Sequence, residues 1–249
     1  MKKSLAILLL IGWSVRALAD PTVVLLVDIS GSMNSSFDAT TRYNAALAAI
    51  TTTITANAAS VAFGVTLYQG GNFPCPQLES APAPASSVGV QNLFATAAPG
   101  SFAPTGEAIV AANAALAGTP GERQIILLTD GQPATCADPQ GSTGEADAVQ
   151  AAADSFQSGI PVSVISIGDD SAPAYLQSLA DAGAGASSGA GVFEIAMTTA
   201  ELQTAINEIV QPLVPAPIPM SPWAVLLLAA AIALTGRQIT SRTTRTDTA

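Results

Sequence analysis

Five oxygen-bearing side chains stand where apolar stretches of this chain come to an end. Residues 22–27 are apolar or β-branched, and the run stops at Asp28, with Ser30 and Ser32 following on either side of Gly31. A second run, Ile-Ile-Leu-Leu-Thr, ends at Asp130, and between the two Thr105 opens a candidate helix. Carboxylate and hydroxyl oxygens are the ligands that hard divalent cations choose, and a six-coordinate ion such as Mg²⁺ keeps several waters. Three hydroxyls can touch such an ion while two aspartates hold its waters. Few negative charges in direct contact leave the ion electrophilic, so a carboxylate from outside can complete its coordination. Asp28, Ser30, Ser32, Thr105 and Asp130 are therefore read as a site for Mg²⁺, with Mn²⁺ or Ca²⁺ as alternatives. The plainer reading, that both aspartates only cap turns, does not explain why two strands end in the same way.

The residue inventory narrows the chemistry further. The 249-residue chain has no histidine, and its only lysines are Lys2 and Lys3. This excludes Ser–His–Asp and Cys–His nucleophiles, histidine-based zinc sites, Schiff-base lysines and a phosphate-binding P-loop. Between Asp20 and Pro219 there are 2 basic residues, Arg42 and Arg123, against 17 acidic ones, a formal charge of -15. Such a domain repels a phosphate backbone, so no nucleic acid is expected as a partner. Cys75 and Cys136 are too few for a thiolate cluster. In an exported protein an even pair reads first as a disulfide, with two buried thiols as the alternative.

The elements that must position these groups alternate along the chain. Strands are expected over residues 22–27, 61–68, 123–129, 161–167 and 192–196, the first of them apolar or β-branched throughout. Helices are expected over 43–58, 105–116, 144–158, 174–182 and 198–210. Their inward stripes are Leu47, Ile50 and Ile54; Ile109, Ala112 and Leu116; Val149, Ala152 and Phe156; and Leu202, Ile206 and Ile209. Thr105 falls at an N-cap position. Residues 70–87 read as a Pro-, Gly- and Ser-rich loop, 88–94 as either an edge strand or part of a helix, and 183–191 as a flexible connection. The alternation predicts an α/β domain, a Rossmann-like doubly wound and mostly parallel central sheet with helices on both faces. Ligands bind at the carboxyl end of such sheets, where Asp28 and Asp130 fall. Asp169-Asp170 reads as a solvated turn, and Asp138, Glu145, Asp147 and Asp154 as a solvated surface. Tyr43, Phe63 and Tyr68 read as packing.

Both ends of the chain have separate readings. Residues 1–19 read as a secretory signal peptide, with Lys2 and Lys3, an apolar core, and Ala17-Leu-Ala19 as the cleavage site. The domain takes 20–210, and 211–222 form a stiff proline-rich linker. Residues 223–236 read as a short membrane helix, and 237–249, with Arg237, Arg242 and Arg245, as a basic cytoplasmic tail. From residue 221 to 235 a helix covers only ~22 Å against a ~30 Å hydrocarbon core, which suits a transient anchor.

Asp28-Ile-Ser30-Gly-Ser32, then Thr105-Gly106, then Thr129-Asp130-Gly131, resemble the von Willebrand factor type A (vWA) domain and its metal-ion-dependent adhesion site. The resemblance covers about residues 22–210. It implies that the two serines and the threonine contact the metal, that the aspartates act largely through water, and that the Asp28 and Asp130 strands lie side by side at the sheet centre. In that sheet order the loops carrying Cys75 and Cys136 both emerge at the metal end, where a bridge between them would tie the proline-rich loop beside the site. Ile218-Pro-Met-Ser-Pro-Trp-Ala224 resembles the bacterial IPTL-type C-terminal sorting signal, Ile-Pro-Thr-Leu-x-x-Trp-Gly, with Met220-Ser221 in place of Thr-Leu and Ala224 in place of Gly. That resemblance implies a Gram-negative envelope protein, cut near residues 219–223 by a sorting or processing enzyme.

The expected function is that of a non-enzymatic binding module in the periplasm, the cell envelope or at the cell surface, first anchored in the inner membrane by its C-terminal helix. It would grip an acidic side chain on a protein partner through the metal, in adhesion or surface assembly. Two alternatives remain open. One is a metal-assisted hydrolase using Asp28 and Asp130, which would need a carboxylate with a strongly raised pKa as its base. The other is a structural envelope protein with a vestigial metal site.

Overall fold

The computed structural model of the chain describes residues 19–71, 74–81, 83–140, 144–169 and 173–215. Residues through Val214 make one compact unit, and of the second, Pro215–Ala249, only the first residue is described. The signal peptide, the membrane helix, the basic tail and the sorting motif all lie outside the described residues. Among the described residues no helix is long and apolar enough to cross a membrane.

The chain begins with β1 (Thr22–Asp28), a short hairpin of β2 (Ser36–Phe37) and β3 (Thr40–Thr41), and helix α1 (Arg42–Asn57). Then come β4 (Ala62–Gln69), β5 (Gln77–Ser80), α2 (Ser87–Thr96), α3 (Thr105–Leu116) and β6 (Arg123–Thr129). The last part holds α4 (Gly144–Gln157), β7 (Val162–Ile167), α5 (Pro173–Gly183), β8 (Phe193–Ala196) and α6 (Thr199–Val210). Six strands form one sheet in the order β5-β4-β1-β6-β7-β8, parallel except for β5. β1 lies at the centre, with Asp28 opposite Tyr68 of β4 on one side and Val27 opposite Leu128 of β6 on the other. The chain leaves β1 toward β4 and later returns on the far side as β6. That reversal makes the crevice at which doubly wound sheets bind ligands.

The central strands are apolar along their middle residues because both faces are covered there. Val23, Leu25 and Val27 pack with α1, α2 and α6, while Val24 and Leu26 pack with α3, α4 and α5. Ile126 and Leu128 of β6 face the first group, and Ile125 and Leu127 the second. Strand alternation thus divides each apolar run between two cores. The threonine-rich α1 holds despite its poor propensity because one face is buried, while Thr51, Thr52 and Thr55 satisfy their hydroxyls on carbonyls one turn earlier.

Four expectations change in detail. Residues 87–96 are helical, with Ser86 accepting from the Gly89 amide as N-cap. The loop after β4 contains β5, an antiparallel edge strand whose Gln-Leu-Glu-Ser sequence carries no apolar run. In α4 the buried face is Ala148, Ala151, Ala152 and Ser155, and Phe156 lies at its edge, 39% exposed, because small residues allow α4 to dock closely on its neighbours. The Gly/Ala/Ser stretch before β8 is tied down rather than loose. Asp181 accepts from the amides of Gly189 and Gly191, which hold its carboxyl below the usual range, with a further bond from Gln177.

One close approach bears on the site. A Cβ at Gly106, in the first turn of α3, would stand 3.1 Å from the backbone of both Asp147 and Ala148 in α4. Only a glycine lets the two helices meet main chain to main chain there.

Candidate metal centre

β1 carries Asp28 to the carboxyl end of the sheet, where the chain must turn away. The Ser30 amide donates to Asp28 Oδ1 at 2.7 Å, folding the turn onto the aspartate's own carboxylate. Thr129, the last residue of β6, donates its hydroxyl to Oδ2 at 2.9 Å. Asp28 is therefore 1% exposed with both oxygens occupied. Burial raises its pKa from an ordinary 3.8 to about 6, the charge of Asp130 adds to the rise, and the bonds from Ser30 and Thr129 oppose it.

A chain of oxygens joins this strand end to the next. The Ser30 and Ser32 hydroxyls lie 3.0 Å apart, and Ser32 donates to Asp130 Oδ1 at 2.8 Å. Asp130 Oδ2 accepts from Arg42 Nη1, at the start of α1, at 2.6 Å. The structure thus brings Asp28, Ser30, Ser32 and Asp130 into one hydrogen-bonded group at the β1 and β6 ends. Ser30 and Asp130 are buried, and Ser32 is open to solvent.

Thr105 stands differently from expectation. It is the first residue of α3 rather than its cap, Pro104 holds the cap position, and no side chain caps the helix. Its buried hydroxyl lies 3.1 Å from the Tyr68 hydroxyl. Tyr68 is fully buried opposite Asp28, and burial, aided by the charge of Asp28, pushes its pKa well above the ordinary value. Among the described residues Thr105 shares no hydrogen bond with the two serines or the two aspartates.

Backbone bonds lock the surrounding loops together. Gly31 donates to Ser101 O at 3.1 Å, Gly100 to Ile29 O at 2.9 Å, and Ala134 to Ala103 O at 2.8 Å. Cys75 and Cys136 are bridged, tying the loop after β4 to the loop after β6. The Cys136 amide donates to Glu107 Oε1, in the first turn of α3, at 2.8 Å. Every loop carrying a candidate ligand is thereby fastened to another.

Three residues at this centre escaped the reading of the sequence as site residues. Thr129 was visible as the end of a strand and beside Asp130 in the Thr129-Asp130-Gly131 motif but was given no role, and Tyr68 was read as packing. Arg42 had a signal, being one of two basic residues in a strongly acidic domain. The expected solvated groups lie outside the centre: Asp138, Asp147, Asp154 and Asp169 are exposed and Glu145 half-buried, and Asp170 lies outside the described residues. Tyr43 and Phe63 are packing residues, Tyr43 against Phe94 with its hydroxyl donating to Phe94 O.

The donor set fits a hard cation. Among the described residues no cluster of three or more His, Cys, Asp or Glu could hold a metal, so a metal here must use the hydroxyls. Hydroxyls and carboxylates together make the all-oxygen environment that Mg²⁺, Mn²⁺ and Ca²⁺ accept.

A doubly wound sheet with this strand order and this loop at the end of its central strand is the fold of the von Willebrand factor type A domain. Residues 23–132 match the model of that family, the von Willebrand factor type A domain. Among solved structures it is similar to BatB from Bacteroides thetaiotaomicron, at 20% identity over 77% of this chain and 98% of that one, with a TM-score of 0.56. It is also similar to the pilus adhesin SpaC from Lactobacillus rhamnosus GG, at 16% identity over 78% of this chain and 30% of that one, with a TM-score of 0.61. The manganese-loaded TRAP protein of Plasmodium vivax aligns at 17% identity over 78% of this chain and 73% of that one, with a TM-score of 0.56. No curated protein matches the chain in sequence.

Proposed function

We propose that this protein is an exported, envelope-attached binding module that grips an acidic side chain of a protein partner through a divalent metal. Ser30, Ser32 and Thr105 would contact the ion, and Asp28 and Asp130 would hold its waters. The ion would be Mg²⁺, with Mn²⁺ or Ca²⁺ as alternatives. The observation that carries the reading is the continuous oxygen group Asp28–Ser30–Ser32–Asp130 across the ends of two central strands. Asp28 cannot leave this group without stranding Ser30 and Thr129, so it acts as the fixed anchor of the turn. When bound, the ion supplies a positive centre with room for an outside carboxylate. Ser32, exposed at the rim, is where such a carboxylate arrives. Adhesion or surface assembly is the context, supported by the presence of a pilus adhesin and a manganese-loaded protein among the similar folds. Export, the transient inner-membrane anchor and processing of the tail rest on the two chain ends, which lie outside the described residues.

One observation speaks for the hydrolase alternative. Asp28 has the raised pKa, about 6, that a carboxylate base would need. It lacks access, since both of its oxygens are bonded and it is 1% exposed. The binding reading is therefore preferred.

The test is isothermal calorimetry of Mg²⁺ and Mn²⁺ on the full chain and on a Ser30→Ala/Ser32→Ala double variant. Binding by the wild type and a loss of at least about tenfold in affinity in the double variant, with circular dichroism unchanged, is the expected result. Equal affinity in both, or binding by neither, would count against the metal site.

A further inference from the structure

Arg42 is a cation already seated at the proposed metal centre. Its Nη1 donates to Asp130 Oδ2 at 2.6 Å, the one ion pair among the described residues. Asp130 has a side chain 1% exposed, and that of Arg42 is 18% exposed. The guanidinium is held in a slot rather than waving from the surface. On its far side it lies against Gly168 at the end of β7, where a Cβ would stand 2.9 Å from Nη2 and 3.1 Å from Nε. Gly168 has a φ of +98°, so a side chain at this position would be strained as well as blocked. Nε is buried and has no hydrogen-bond partner. A packed arginine that forgoes one of its bonds while directing another at Asp130 is held there by that carboxylate, with the permanent charge that guanidinium carries.

We propose that Arg42 is a built-in competitor for Asp130 that raises the metal concentration at which this site fills. The inference rests on the metal-site reading above. Asp130 has two oxygens, of which one takes Ser32 and the other Arg42. A divalent ion or its bound water needs the same carboxylate, and the ion and the guanidinium repel each other at short range in a half-buried setting. Filling the site therefore means weakening the pair with Arg42. Without a metal, the same pair offsets the charge of one of two neighbouring buried carboxylates, so Arg42 steadies the empty domain while opposing the filled one.

That double role gives a signature that a purely structural ion pair lacks. Arg42→Gln in the full chain should lower the melting temperature without metal and tighten Mg²⁺ and Mn²⁺ binding by about tenfold or more in calorimetry. Arg42→Lys keeps the charge but loses the planar fork, and should bind metal within about threefold of wild type. The Ser30→Ala/Ser32→Ala variant serves as the reference for the metal site itself. A lower melting temperature in Arg42→Gln with metal affinity unchanged or weaker would overturn the proposal and leave the metal site standing. Metal binding absent from wild type and Arg42→Gln alike would overturn both. If Arg42→Gln does not fold, an Arg42→Lys variant that binds metal about tenfold more tightly than wild type, despite its charge, would equally refute competition by charge.

Discussion

The ends of β1 and β6 each contribute an aspartate to the same centre, yet they hold it by opposite means. At the β1 end, Asp28 is fixed by neutral donors, the Ser30 amide and the Thr129 hydroxyl, and burial leaves its charge poorly compensated. At the β6 end, Asp130 is held by a full positive charge from Arg42, and the loop that follows is tethered by the Cys75–Cys136 bridge. Local hydrogen bonding gives the first carboxylate its geometry and offsets only part of the burial that disfavours its charge. The second is paired with a cation that comes from elsewhere in the chain. One centre thus holds a rigid but electrostatically uncomfortable anchor beside a comfortable but contestable one.

The strongest way to break this contrast is at the tether. A Cys75→Ser/Cys136→Ser variant loses a bridge that closes a 61-residue separation. Constraint of the unfolded chain makes that worth about 4 kcal/mol. The expected outcome is a large drop in denaturant midpoint, with hydrogen exchange rising first in the loops after β4 and β6 rather than in the turn after β1. Uniform loss of protection across both strand ends would show that the two ends are one unit.

The next test compares the two aspartates directly. Asp28→Asn should stabilise the metal-free domain at pH 7 by roughly 2 kcal/mol, because it removes a buried charge that a raised pKa marks as unfavourable. Asparagine can still accept from the Ser30 amide, and the Thr129 hydroxyl can reverse to accept. Asp130→Asn should act with the opposite sign, costing about 1–2 kcal/mol by leaving Arg42 beside a neutral group. Chemical denaturation of the two variants in EDTA decides the matter, and equal signs would refute the contrast.

The same penalty at Asp28 is also readable in pH. The folded-state pKa of Asp28 lies near 6, above its ordinary 3.8, so the folded protein holds the proton over an interval in which the unfolded chain has lost it. Metal-free stability should therefore fall as pH rises from about 4 to about 6 and then level off with respect to this group. Asp28→Asn should lack that component. A wild-type curve whose slope over this interval matches that of the variant would remove Asp28 as its source.

Much of this arrangement is legible in the sequence. The runs at the centre of β1 and β6 are apolar because both sheet faces are covered, and burial there leaves a clear mark on composition. The ends of β1 and β6 were legible for the complementary reason, since polar oxygens after such runs stand out. β5 was not legible: an edge strand with one neighbour and solvent contact needs no apolar run, and Gln77-Leu-Glu-Ser80 has none. The stripe of α4 was misplaced because alanines bury as well as larger residues when helices approach closely, and Phe156 drew the reading to the wrong face. Thr105 was placed correctly and given the wrong local role, since a hydroxyl at a helix start more often serves the helix than a tyrosine across the sheet. Arg42 could be counted but not located, because its pairing with Asp130 joins residues 88 apart in sequence.

Gly106 gives the centre something like a gauge. The helix that begins with Thr105 rests there on the main chain of α4, which cannot change rotamer to make room. A single methyl added at Gly106, meeting backbone at 3.1 Å, would push the helix start outward by a few tenths of an ångström. Metal–oxygen distances for Mg²⁺ and Ca²⁺ differ by about 0.3–0.5 Å. If Thr105 ligates as proposed, the width of the space between two helices becomes a measure of ionic radius, calibrated by the absence of one side chain.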